Sequence, residues 1–299
     1  MNPSELEPNP PVPQEIPETE KSFFNVIIHS FFVIPFLIAV FCILLFTAGH
    51  LLTREQQTVY DYLNDIKVGG ATKRWQAAFE LSKILATPAF VPQDDRFVSE
   101  MIKAFKESEH DDPRVRQYLA LAMGRTGKSE FLPPLLQHIE KEKEENLYAI
   151  IYALGMLREK RAVSTLSQYS AHPNPRIRSG VAVSLGVIGD YGAKEILKKA
   201  LNDSEPNVKW GAALSLAQMN DASGKEILLK LLDRKYLSGF SAIDPQEQNQ
   251  ILLAVIAGAA RVEVPELDTK IQELAQTDQN MKIRAAALEY FEKKLKLKK

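Results

Sequence analysis

Gly124, Gly155, Gly186 and Ala217 follow one another at a fixed step of 31 residues. The same step joins Ala120, Ile151, Ala182 and Ala213, then Met123, Leu154, Leu185 and Leu216, then Leu135, Leu166, Leu197 and Leu228. A period of this length is the mark of a repeat architecture, and it limits the fold more tightly than any composition can. One copy is too small to hide its own apolar face, so each copy must lie against the next.

The content of one unit follows from three segments: DPRVRQYLALAMGRTG (112–127), NPRIRSGVAVSLGVIG (174–189) and EPNVKWGAALSLAQMN (205–220). Pro113, Pro175 and Pro206 open them, and proline suits the first turn of a helix because its fixed φ is helical and its missing N–H costs no bond there. Small and apolar residues then recur at helical spacing. A glycine turn such as Gly186–Gly189 ends the helix, since glycine reaches left-handed φ without strain. A second amphipathic helix, such as 193–201, completes the unit.

These segments resemble HEAT repeats, above all the short class of phycobilisome-lyase-type proteins, with Val115-Arg116, Ile177-Arg178 and Val208-Lys209 as the matching pairs. Lys73–Phe79 reads like Val208–Leu214, and Met281–Leu288 reads like a last first helix; a break in register falls near Lys235–Ala242. The resemblance implies an all-α protein, a right-handed α-solenoid of about six HEAT-like helix pairs over 71–299. The expected units are 71–106, 112–141, 143–171, 174–202, 205–233, 245–275 and 279–297. The resemblance fixes an architecture and leaves activity open.

Ahead of the repeats, residues 1–21 hold six prolines and five glutamates against one lysine. So little can be buried there that an extended, disordered tail is expected. Between Lys21 and Arg54 no Asp, Glu, Lys or Arg occurs, and residues 23–52 form a nearly continuous apolar run of 30. A bilayer core needs about 20 such residues in a helix. A signal peptide is the competing reading, but its apolar core spans about 7–15 residues behind a basic leader. Residues 22–53 are therefore expected to be one transmembrane helix, with 54–70 a juxtamembrane linker or helix. Arg54, Lys67, Lys73 and Arg74 follow the run and only Lys21 precedes it. That bias favours a single-pass protein of the inner or plasma membrane with the repeats in the cytoplasm. The alternative places them on the exported side.

Net charge is −1, without the excess of Lys and Arg that marks a nucleic-acid binder. Cys42 is the one cysteine, so neither an intrachain disulfide nor a Cys-rich zinc site is available. His110, His138 and His172 stand apart, with no His-Glu or His-x-x-x-His spacing. Gly127-Lys128-Ser129 lacks the earlier glycine of a phosphate loop, because Ala122 occupies that place. No cofactor, metal or catalytic residue is assigned, and the chain is expected not to be an enzyme. The basic column Arg74, Arg116, Arg178, Lys209 and Arg284 recurs with the repeats, which favours pairing between units over ligand binding.

The expected function is a membrane-anchored scaffold or adaptor that presents its array to a protein partner. The alternative, implied by the repeat class, is an enzyme of the phycobilin-lyase kind or an accessory subunit of one. On the second helices, Gln137, Gln168, Lys199 and Lys230 form one column and Lys194 and Lys225 part of another. If they face a groove, they offer a polar-to-basic surface for an acidic segment; otherwise they are a solvated helix face. Lys293, Lys294, Lys296, Lys298 and Lys299 could touch anionic lipid, each worth on the order of 1 kcal/mol.

Overall fold

The computed structural model describes residues 29–53 and 57–297, with side chains over 31–49 and 57–295. The expected Pro/Glu tail at 1–21 lies outside them, as do 54–56 and the last two lysines. Two compact units divide at Gln56–Gln57. The first holds a π turn, His29–Val33, running into the α-helix Ile34–Thr53. Pro35 thus falls where the π turn passes into that helix, a local irregularity of the kind that accommodates a residue without an N–H. Phe31–Gly49 is long and apolar enough to cross a membrane, and its side chains are exposed within its own unit.

The second unit is helical throughout its described residues and is an α-solenoid. Six helix pairs follow in order: Ala71–Ile84 with Asp95–Glu107, Pro113–Thr126 with Leu132–Ile139, Glu144–Leu157 with Val163–Gln168, Pro175–Ile188 with Lys194–Ala200, Pro206–Gln218 with Lys225–Leu231, and Pro245–Ala259 with Pro265–Thr277. A helix ahead of the pairs, Val59–Val68, packs on Ala71–Ile84 and buries Leu63 and Ile66. At the far end Met281–Leu297 packs on the sixth pair and buries Ile283, Ala287 and Tyr290. Terminal units of this kind are what a stacked array needs, because its end faces have no neighbour to cover them.

The repeat period sets the backbone down to single dihedrals. Gly127 (φ 67°), Arg158 (φ 55°), Gly189 (φ 69°) and Asn220 (φ 57°) occupy the same left-handed position, one unit apart, just past each first helix. Two are glycine, and asparagine tolerates the region. Arg158 carries a Cβ where it is strained. Arg158→Gly is expected to stabilise the array by about 0.5–1 kcal/mol, read as a higher urea midpoint.

Gly186 has a different role from the one its sequence context indicates. It lies inside Pro175–Ile188, and the turn belongs to Gly189 alone. A Cβ on Gly186 would stand 2.8 Å from the Ser215 Cα; on Gly155, 2.8 Å from the Ser184 Cα; on Gly124, 2.7 Å from the Ala153 Cα. The first helices therefore meet backbone to backbone along the column. The hydroxyl of Ser184 donates to the Ile151 carbonyl and that of Ser215 to the Ala182 carbonyl, both at 3.0 Å, so the buried oxygens at these crossings are satisfied. Successive second helices from Leu132–Ile139 to Lys225–Leu231 make no comparable contact with one another. Of the two rows, the first-helix row is the closely packed one, here called the inner row.

Candidate interaction surface

The four arginines of the basic column, Arg74, Arg116, Arg178 and Arg284, serve the fold. Arg116 Nη1 donates to the Phe105 carbonyl (2.6 Å) behind it, and its Nε to Glu142 Oε1 (2.5 Å) ahead of it. Arg178 repeats this, donating to the His172 carbonyl (2.9 Å) and, bidentately, to Asp203 (2.7 Å each). Arg74 reaches the Ile66 carbonyl and pairs with Asp111; Arg284 reaches the Asp278 carbonyl. Each arginine ties the turn before its unit to its own first helix, and three of them also reach a carboxylate in the turn beyond. In Asp203 the Arg178 guanidinium holds the carboxyl below the usual range despite burial.

His138 sits beside the Arg116–Glu142 pair, edge-on to the Phe105 ring at 5.7 Å. Burial, then the Arg116 charge, lowers its imidazole below the ordinary value, against the pull of Glu142. The folded chain thus resists a proton that the unfolded chain accepts below pH about 6.5. Stability is expected to fall as pH drops through that value toward the folded pKa. Urea midpoints at pH 7.5 and 5.5 should differ more in the native chain than in His138→Asn.

The sequence-selected column of second-helix residues is placed as follows. Gln137, Gln168, Lys199 and Lys230 are exposed at equivalent positions of four successive units. Lys194 and Lys225 are half-buried; Lys194 pairs with Asp221 of the next unit (3.5 Å) and Lys225 with Glu266 (3.6 Å). At the C-terminal end Lys293 pairs with Glu289 and Lys294 with Asp268. The side chains of Lys296, Lys298 and Lys299 lie outside the described residues. Among the described residues, no group of three His, Cys, Asp or Glu is placed to hold a metal ion.

A second surface, on the inner row, is richer. The first helices expose Trp75 and Phe79, then Tyr118 and Leu121, then Tyr148 and Tyr152, then Val183, then Leu214. Phe79 and Tyr118 meet edge to face across units (5.1 Å), and Tyr148 and Tyr152 lie nearly parallel (6.3 Å). The Arg114 guanidinium lies 4.4 Å over Trp75 and that of Arg176 4.5 Å over Tyr148, each reaching back to the previous unit. Phe79 and Tyr152 remain 36% and 38% exposed, more than a side chain that only fills a helix contact needs. At the equivalent place in the fifth unit Trp210 is covered, with Phe240 and Tyr236 of the insertion at 4.9 and 6.2 Å. Arg234 anchors that insertion by a bidentate pair with Asp278 (2.6 and 2.8 Å). The insertion closes one end of the aromatic row. The sequence held a signal for this row: aromatic residues at the outward positions of consecutive first helices.

The HEAT-repeat family matches residues 99–171 and 164–238. Among curated proteins, none matches the sequence. Among solved structures, the complex of CpcE and CpcF of phycocyanin lyase from Nostoc sp. is similar at a TM-score of 0.54, with 19% identity over 80% of this chain and 96% of that one. A designed armadillo repeat protein gives a TM-score of 0.41 at 16% identity, over 77% of this chain and 97% of its own. Residues 99–238 match HEAT repeats, and the chain from Gln57 onward is an α-solenoid.

Proposed function

We propose that this chain is a membrane-anchored scaffold: Ile34–Thr53 spans a bilayer and the HEAT-like array presents a binding face to a protein partner, without catalysing a reaction. The observation that carries this reading is the aromatic inner row, a contiguous face of partly exposed rings on a rigid stack. Solenoids use such extended inner faces for binding. Tyrosine, tryptophan and arginine are the residues that dominate protein interfaces. The neighbour from Nostoc is itself solved as a complex of two chains, which supports a protein partner. Anchoring adds effective concentration: a partner in the same membrane meets the face far more often than a free one.

The anchor reading rests on an uncharged apolar helix with exposed side chains, and the cytoplasmic placement of the array on the basic residues that follow it. Contact of the lysine-rich C-terminal end with anionic lipid belongs to the same proposal. Protease treatment of intact cells should leave the array uncut, and opening the cells should expose it. Photo-crosslinking from position 152 in membranes is expected to capture a discrete protein, and a Lys230 probe to capture less of it. Failure to capture any protein from position 152, with absorption changes on adding a tetrapyrrole instead, would replace the scaffold by the lyase-like alternative.

A further inference from the structure

Resting on the scaffold reading, we infer that the aromatic inner row takes an extended, proline-rich segment of the partner, with one acidic residue seated at Arg176. The first argument is one of pitch. Helices packed through glycine lie at the short end of the usual ~8–10 Å interaxial distance. A polyproline II segment rises about 3.1 Å per residue with three residues per turn, so it presents the same side about every 9 Å. One turn of such a segment exceeds that spacing by only about 1 Å, so an extended segment can follow the row over a few units. A β-strand repeats its side about every 6.8 Å and falls short by a similar amount, so pitch excludes only the α-helix, which turns about every 5.4 Å, and the choice among extended segments rests on chemistry.

The second argument is chemical. Proline-rich segments bind on rows of aromatic rings, whose flat faces fit the pyrrolidine without needing donors from proline. Trp75, Phe79, Tyr118, Tyr148 and Tyr152 supply such a row over three consecutive units. The three columns that form the face hold no Asp or Glu from Trp75 to Leu214.

The third argument is charge. The Arg176 guanidinium is exposed with one face on Tyr148, and among the described residues no carboxylate pairs with it. Its edge is free to bind a carboxylate bidentately. Arg114, at the equivalent place two units earlier, is already taken by Asp112 (2.5 Å). Glu145 holds the place between them and opposes an acid there. Of these three places, only that of Arg176 is open to an acid.

The test uses the full chain in lipid nanodiscs and a set of fluorescein-labelled peptides. Each test peptide is a run of about nine prolines, enough for three polyproline II turns. It carries a single glutamate at its amino end or at its carboxyl end. Matching peptides carry lysine in place of glutamate, and a glutamate-ended Gly-Ser peptide of equal length is the control. One of the two glutamate-bearing proline peptides is expected to bind at least tenfold tighter than its lysine counterpart and than the control. Tyr152→Ala should weaken it at least tenfold, and Arg176→Glu should reverse the preference between glutamate and lysine. Both side chains are exposed, and far-ultraviolet circular dichroism should show each variant folded. Equal binding of the proline and Gly-Ser peptides would overturn the inference, as would binding that ignores both substitutions or follows Lys199→Glu and Lys230→Glu. If crosslinking from position 152 still captures a protein in that case, the scaffold survives and only this ligand class is lost.

Discussion

Replacing Glu142 with alanine will destabilise the array by about 3–5 kcal/mol, because it leaves the Arg116 charge buried without its partner. The two side chains are 2% and 6% exposed, so water cannot reach in to compensate. The Phe105 carbonyl still accepts one N–H from Arg116, but a dipole does not neutralise a charge. The equivalent change at Asp203 should cost less, about 2 kcal/mol, since the Arg178–Asp203 pair keeps 14% and 13% of its side-chain surface. Urea unfolding followed by circular dichroism checks both. A loss at Glu142 no greater than that at Asp203 would contradict the role given to burial. Replacing Arg116 and Glu142 together by apolar residues of similar volume should recover much of the loss, which separates the cost of an orphaned charge from the worth of the pair.

Gly186→Ala is the second large effect, and its sign is the informative part. By helix propensity alone the change should stabilise Pro175–Ile188 by about 1 kcal/mol. The added Cβ, however, runs into the Ser215 Oγ and Cβ and stands 2.8 Å from its Cα. The buried Ser215 hydroxyl donates to the Ala182 carbonyl, so turning it away leaves that hydroxyl without its acceptor while the carbonyl keeps its helix bond. The backbone itself must separate, and a net loss of about 2–3 kcal/mol is expected. Gly211→Ala is the matched control: the nearest atom to its Cβ would be the Val183 Cγ2 at 3.3 Å, an end that can shift. That variant should be neutral or slightly stabilising. Hydrogen exchange is the finer readout, because the loss at Gly186 should fall on the amides of Pro175–Ile188 and Pro206–Gln218 before those of outer units.

The repeat was legible because periodicity is a property of the sequence itself. Pro113, Pro175 and Pro206 begin helices as proline must, and the left-handed positions at Gly127 and Gly189 follow from the glycines. Arg158 and Asn220 share that conformation without a glycine to announce it; their place in the period is the only clue. The surface was harder to read. Gly124, Gly155 and Gly186 stand at one step, which the sequence cannot resolve into a turn or a close approach. Only their meeting with Ala153, Ser184 and Ser215 shows which helix row is the tight one. Without that, lysines on the second helices look like as good a lining as tyrosines on the first. Lys194 was legible as basic, but its pairing with Asp221 depends on how one unit sits on the next.

The uneven stacking also sets how the array can deform. Along the first helices, backbone already touches backbone, so that line cannot shorten and resists sliding. Along the second helices nothing comparable holds neighbours together. Flexing therefore resembles a fan opening about its spine: the outer ribs spread more readily than the inner ones, and the distance between successive tyrosine-bearing helices changes least. An array with this elasticity can be bent by its surroundings and still keep its ruler.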